Sequence, residues 1–220
     1  MRISRVPERA VYEREAIAAI LDAAPFCHVA TVDPDGRPMV IPTLHARDGD
    51  ALYLHGSAAS PTLRRAERAE ICLAATLLDG LVLARSAFHH SVNYRSVVVF
   101  GQAEMVLADA DKRRALEAFT EKLIPGRWAD VRAPSEKELR ATAVLRLPLE
   151  EASAKVRTGN PVDDEEDYAL PVWAGTVPVR LVADAPQPDE RLPRDVPVPP
   201  YLSAGWSVDR TGARSSDQPA

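Results

Sequence analysis

Cysteine is nearly absent: the 220 residues hold two, Cys27 and Cys72, both inside apolar runs. That count excludes a disulfide scaffold, a zinc ribbon and a cysteine-ligated iron–sulfur cluster. Two unpaired thiols fit a reducing compartment. Long hydrophobic runs are missing too. The longest, Ile71 to Leu78, stops at Asp79, far short of a membrane span. The N-terminal MRISRVPERAVYERE is charged and has no apolar segment, so no signal peptide is expected and the chain reads as cytoplasmic. Positive charge is not in excess: 27 basic residues face 32 acidic ones, a net charge of −5. Nucleic-acid binding by bulk electrostatics is thereby disfavoured, while a local anion site stays open. No glycine-rich strand-to-helix fingerprint is present, which argues against a dinucleotide fold. No G-x-S-x-G elbow or Cys/His/Asp arrangement suggests covalent catalysis.

What is present is a run of short strands. Pro7 to Ala24 reads as a helix, with proline in the first turn and Ile17, Ile20 and Leu21 on one face. Phe26 to Val32 and Arg37 to Arg47 read as strands joined by the turn Asp33-Pro34-Asp35-Gly36. Pro42 places the second of them at an edge or a bulge. Ala51 to Gly56 is a third strand. Ile71 begins a fourth, Asn93 to Leu107 is a fifth and Thr142 to Leu149 the last. Helices are expected after Pro61, from Asp109 (as N-cap) to Ile124, and from Ser135. Beyond Leu149 regularity is lost, and the Pro-rich tail, with six prolines from Pro186 to Pro200, reads as extended and laid on a surface or as partly disordered near the C-terminus. Tight hairpins and few helices rule out a doubly wound sheet and favour a mostly antiparallel barrel with peripheral helices.

The segment Leu54 to Arg65 carries the clearest chemistry. A strand ends, four small residues turn, and a helix starts at Pro61 with Ser60 as a candidate N-cap. Ser57, Ser60, Thr62, Arg64 and Arg65 surround that start, and its first turn holds no acid. This suits a phosphate monoester; an ordinary capped helix with solvated arginines is the competing reading. His55, just before the turn, is the best available proton donor. Tyr94, Arg95 and Ser96 open an apolar strand, where Arg95 either clamps a phosphate or pairs with a carboxylate. His89 and His90 are adjacent, a poor metal motif, and no metal is expected. His28 reads as a core histidine and His45 as exposed. The acidic run from Asp163 to Asp167 reads as a solvated loop, and Trp173 as a packing anchor.

HVATVDPDGRPMVIPT, YLHGSAAS, DGLVLARSAFHHSVNYRSVVVFGQAE and EEASAKVRTGNPVDDEEDYALPVWAGTVPV, in this order, resemble the pyridoxamine 5′-phosphate oxidase-like superfamily. The nearest branch is the flavin-nucleotide-binding one that includes 5-nitroimidazole-resistance reductases. The resemblance implies a mainly β (α+β) fold, a six-stranded antiparallel split β-barrel with peripheral helices, over residues 1–181, with residues 182–220 as the tail. It implies a homodimer holding FMN in two grooves at the subunit interface, with a small-molecule substrate and neither nucleic acid nor membrane as partner. Ser57, Ser60, Thr62 and Arg64 would hold the phosphate. Backbone groups of Ala30, Thr31, Pro42 and Thr43 would flank the flavin ring. Tyr94, Arg95 and Ser96 would approach from the following strands or from the partner subunit, and His55 would be the catalytic residue. Pro61 stands where many members carry Lys or Arg, which moves the phosphate charge to Arg64 or Arg65. The function implied is an FMN-dependent oxidoreductase. A non-catalytic flavin-binding protein, or a split barrel holding a deazaflavin or haem, are the alternatives. A haem would need one of His28, His55, His89 or His90 as axial ligand.

Overall fold

The computed structural model describes residues 3–67, 69–203 and 207–208. Two antiparallel sheets enclose one core. The strands are β1 (Ala10–Val11), β2 (Cys27–Val32), β3 (Pro38–Thr43), β4 (Ala46–Asp48), β5 (Ala51–Ser57), β6 (Glu70–Leu83), β7 (Ser91–Gln102), β8 (Glu104–Met105), β9 (Thr142–Pro148), β10 (Glu151–Arg157), β11 (Gly175–Pro178), β12 (Leu181–Val182) and β13 (Ser207–Val208). The helices are α1 (Arg14–Ala23), α2 (Pro61–Ala66), α3 (Asp109–Leu123), α4 (Glu136–Ala141) and α5 (Pro200–Ser203). The larger sheet runs β1-β10-β7-β6-β2-β3, with β11 added along the far half of β6. The smaller runs β4-β5-β9-β8. The sheets do not close on each other, and the antiparallel split-barrel expectation holds.

Alternation builds the core. On β2, Cys27, Val29 and Thr31 are buried while His28 and Val32 are exposed. Val29, Ile71, Leu73, Val97 and Val99 of the larger sheet meet Leu52, Leu54, Leu145 and Leu147 of the smaller one. Helix α1 plugs one end with Ile17, Ile20 and Leu21. The turn after β2 forms as its sequence dictates: Asp33 Oδ1 accepts from the amides of Asp35 and Arg37, and Gly36 takes φ 80°. Helix α4 starts with a capping box of Ser135 and Glu138.

Several boundaries differ from expectation, each for a tertiary reason. The first helix begins at Arg14, because Ala10 and Val11 pair with Lys155 and Ala154 at the sheet edge. The predicted strand over 37–47 is two strands, since the chain leaves the larger sheet after Thr43 and joins the smaller at Ala46. Pro42 does lie on an edge strand, β3. Asp109 is the first residue of α3 and Ala108 its N-cap, with no side-chain cap bond. A seventh long strand, β10, was not expected. Its sequence, EASAKVR, has one β-branched residue, yet Ser153 and Ala154 fit tightly against Val98 and Val97. Gly80 lets β11 approach: a Cβ there would stand 3.0 Å from the Val177 carbonyl oxygen.

Residues 183–198 are exposed, and they are extended except for two turns, closed by the Leu192 amide on the Asp189 carbonyl and the Val196 amide on the Pro193 carbonyl. The tail lands on its own chain, where the Tyr201 hydroxyl donates to Asp130 Oδ2 (2.5 Å) and accepts from Arg127 Nη1 (3.0 Å). Its last residues, 209–220, lie outside the described residues. Among the described residues, no helix is long and apolar enough to cross a membrane.

Candidate functional site

The β5–α2 loop has the expected shape. Ser60 is the N-cap of α2, its Oγ accepting from the Leu63 amide at 3.4 Å, and Pro61 opens the helix. Ser57 Oγ accepts from the Ala59 amide, and Arg64 Nη2 donates to the Ala58 carbonyl at 3.3 Å. Ser57 and Arg64 are exposed and Thr62 half-buried. Arg65 turns the other way, with Nη1 3.4 Å from Met39 Sδ on β3. Met39 is the register partner of Thr31, whose Oγ1 is buried with no partner. The loop therefore gathers Ser57, Ser60, Thr62 and Arg64, while Arg65, half-buried, turns toward β3.

His55 stands apart from this loop. Its ring packs on Phe119 of α3, centroids 4.2 Å apart. The next residue, Gly56, faces the opposite way, toward Leu63 of α2. Burial lowers the His55 pKa, and its Nδ1 is buried without a partner. The ring is thus poorly suited to carry a proton at neutral pH.

The strand residues fall on two faces. Register and alternation put Ala30, Pro42, Tyr94 and Ser96 on the outer face of the larger sheet, together with His28, Ala74 and Thr76. Thr31, Thr43 and Arg95 point the other way. Arg95 makes a bidentate pair with Asp79, Nε–Oδ2 2.9 Å and Nη2–Oδ1 2.8 Å, with both side chains largely buried. Of its two sequence readings, carboxylate pairing is the one seen. Beside this pair, Pro25, Phe26, Thr76 to Asp79 and Val179 to Leu181 line a hollow of about 220 Å³.

His28, His45 and, in the acidic run, Asp163 depart from expectation, while Asp164 to Asp167 are exposed or half-buried as expected. His28 is exposed, because it falls on the outer side of β2; Phe26 stacks edge-on against it. His45 is fully buried, because it lies where the chain crosses between sheets. Its Nε2 is 2.8 Å from the Leu21 carbonyl oxygen and 2.6 Å from Lys122 Nζ. Burial first, then the Lys122 charge, push its pKa down to about 4. Asp163 is no solvated acid. Its carboxylate accepts from the amides of Arg85 and Ser86 and from Arg85 Nη1. Burial opposes ionisation of Asp163, but these donors prevail and its pKa is lowered. Trp173 is 65% exposed and no core anchor.

Between β6 and β7, Ala87 to His89 form a short turn that projects Phe88, 88% exposed. His89 Nε2 lies 3.3 Å from Asp164 Oδ2. His90 Nδ1 lies 2.9 Å from the Ser86 carbonyl oxygen, which can only accept. The neutral form of the ring therefore carries its proton on Nδ1, and Nε2 of this exposed residue meets no partner among the described residues. No group of three or more His, Cys, Asp or Glu able to hold a metal ion exists among the described residues.

Residues 13–156 match the family model described as pyridoxamine 5′-phosphate oxidase. The chain belongs to this family. No curated protein matches it. Among solved structures, the flavocytochrome Anf3 from Azotobacter vinelandii is 46% identical, covering 92% of this chain and 94% of its own, with a TM-score of 0.87. The FAD and haem binding protein from Mycobacterium smegmatis is 40% identical, covering 89% and 96%, with a TM-score of 0.85. A Bacteroides thetaiotaomicron structure named for 5-nitroimidazole antibiotic resistance is 24% identical, covering 67% and 86% with a TM-score of 0.57, and shares the fold. The shape of the β5–α2 loop was legible from sequence, whereas the strand residues named there divide between the two faces of the larger sheet. Asp79, Asp163 and the His90–Ser86 contact were not legible. The only hint of them was polar residues bordering the apolar stretches of β6 and β7.

Proposed function

We propose that the protein is a flavin- and haem-binding electron-transfer protein that works as a homodimer. The observation that carries this reading is the near-full-length likeness, at 46% and 40% identity, to a flavocytochrome and to a protein named for binding FAD and haem. These two favour FAD over the FMN implied by the family resemblance. They also raise haem from an alternative to a second cofactor.

The residues fit both groups. A haem iron takes an axial imidazole with a bare ring nitrogen, and partners on the other nitrogen orient such ligands. His90 has both features in its neutral form, with Nδ1–H held by Ser86 and Nε2 unbonded among the described residues, and the exposed Phe88 on the same turn, its ring edge-on to His89, offers a flat apolar surface. The outer sheet face with Ala30, Pro42, Tyr94 and Ser96 would carry the flavin ring, and the β5–α2 loop would hold a phosphate. Both cofactors would supply one-electron chemistry, and the flavin hydride transfer as well. The chain's own part is to orient these groups and keep them dry. A second copy would cover the apolar groups left bare on one molecule, among them Phe88 and Trp173, 88% and 65% exposed. Turnover of a small organic substrate is the oxidoreductase extension of this reading. His55, neutral under Phe119, would enter it only as a hydrogen-bond partner.

The visible spectrum of the purified protein, before and after adding FAD, FMN and haem and desalting, tests the reading. A Soret band together with flavin bands is expected, with the Soret band lost in His90→Ala. Flavin bands alone, unchanged by added haem, would return the protein to the flavin-only alternative.

A further inference from the structure

Arg157, the last residue of β10, is 9% exposed, yet no carboxylate meets it among the described residues. Its Nη1 donates to Asn93 Oδ1 at 2.5 Å and its Nη2 to the Asn160 carbonyl at 3.5 Å, both neutral acceptors. Its other N–H donors have no acceptor among the described residues. The contrast within the same sheet end is direct, since Arg95 and Arg85 are each matched by a buried aspartate. A buried cation without a counter-charge is costly, and such a position is retained where something anionic completes it.

The nearest cation adds to the charge instead of cancelling it. Burial, then the positive charge of Arg9, lower the Arg157 pKa, with Tyr94 acting against them. Arg9 makes no side-chain bond among the described residues. It is delivered by the 3-10 turn Pro7–Arg9, which begins at Val6 in the left-handed region, φ 55° and ψ 59°. For a β-branched residue that conformation is strained, and strain of this kind persists where the surroundings impose it. Lys155 Nζ pins the same segment through the Arg5 carbonyl at 2.9 Å. Tyr94 is the register partner of Arg157, and its hydroxyl bonds to nothing among the described residues. The loop beyond β10 is folded back over the pair, with Asn93 Nδ2 donating to the Gly159 carbonyl at 3.1 Å.

We propose that Arg157 and Arg9, with the Tyr94 hydroxyl at the rim, form a receiving site for an oxyanion carried by a small molecule, a phosphate or carboxylate group. Guanidinium pairs match such groups in geometry and charge, and a phenol adds a donor at the edge. The site shares the outer sheet face with Ala30, His28 and Ser96. The oxyanion therefore belongs either to a cofactor lying on that face or to a separate anionic molecule bound beside it.

Inorganic pyrophosphate is the probe, titrated calorimetrically into the full-length protein freed of chromophore. Wild type is expected to bind it, and Arg9→Gln to weaken it roughly tenfold or more. Arg157→Gln is expected to act the same way; should it fail to fold, Arg9→Gln still decides, because that side chain holds nothing else in place. Repeating the titration with FAD or haem bound separates the sources. Blocked binding assigns the oxyanion to the cofactor, and unaltered binding assigns it to a separate molecule. Wild type that binds no pyrophosphate, or Arg9→Gln that binds it as tightly as wild type, overturns the proposal. So does a variant whose only change is a weakened dimer, since the missing counter-charge would then come from the second copy. The titration needs no chromophore, so a failed flavin or haem spectrum leaves its result readable.

Discussion

In the β5–α2 loop every side-chain bond but one stays local. Ser57 reaches Ala59, Ser60 reaches Leu63 and Arg64 reaches back to Ala58, spans of two, three and six residues, mostly in the open. Where β6 and β7 approach the C-terminal segment, polar groups are buried and their partners are distant. Arg95 and Asp79 are 16 residues apart, Arg157 and Asn93 64, Arg85 and Asp163 78. The first arrangement can rearrange around a ligand at little cost, because water replaces each bond it breaks. The second cannot, since each partner it loses leaves a desolvated charge behind. The loop is therefore suited to binding, and the buried end to holding the sheet and the 158–182 segment in one arrangement.

The sharpest test of this contrast is Asp79→Ala. It removes the bidentate partner of the largely buried Arg95 and should cost about 3–5 kcal/mol in urea unfolding. Replacing both residues by apolar ones of similar size should recover most of the loss. If Asp79→Ala costs no more than an exposed change, the buried end is not the rigid region.

His45 belongs with the long-range group, reaching Leu21 and Lys122 across 24 and 77 residues. Its pKa is about 4 when folded against an ordinary 6.5. The unfolded chain therefore takes up the proton first. Stability should be flat above pH 6.5 and fall as pH drops toward about 4, by up to about 3 kcal/mol. His55, lowered in the same direction, adds to this slope. His45→Gln should flatten most of it in pH-dependent melting, and an unchanged slope would place the titration elsewhere.

The same division explains what could be read in advance. The Asp33–Gly36 turn, the Ser60 cap and Pro61, and the edge position of Pro42 are set by local chemistry, and the sequence states them directly. Strand β10 was hidden because the face it turns to the core is Ala152, Ala154 and Val156, mostly small side chains whose fit depends on Val97 and Val99 across the strand. His45 looked exposed because a nearby hairpin turn is visible in sequence, while the crossing between sheets that buries it is not. Asp163 looked solvated because it opens a run of acids, yet only it is tied to Arg85 and Ser86. Arg95 left two partners open, and the choice needed Asp79 brought alongside across the β6–β7 bulge.

On the local side, Ser60→Ala should cost about 1 kcal/mol or less, because it removes a single cap bond of 3.4 Å. A loss as large as that of Asp79→Ala would mean that α2 carries part of the core through Leu63, which is 8% exposed.

The smallest stability effect is expected for Arg64→Ala. The side chain is exposed and its single bond, to Ala58, is long. Its removal should change stability by no more than about 0.5 kcal/mol. Flavin affinity should behave differently, falling by about 1.5–3 kcal/mol for each charged hydrogen bond to phosphate that is lost. Arg65 sharpens the point. It is half-buried and reaches Met39 of β3, so Arg65→Ala should cost more stability than Arg64→Ala and less affinity. Equilibrium unfolding and flavin titration on both single variants separate the two effects. The opposite ranking, with Arg65→Ala the weaker binder, would move the phosphate from the open loop to the cleft between α2 and β3. Unchanged affinity in both would remove the β5–α2 loop from the cofactor site altogether.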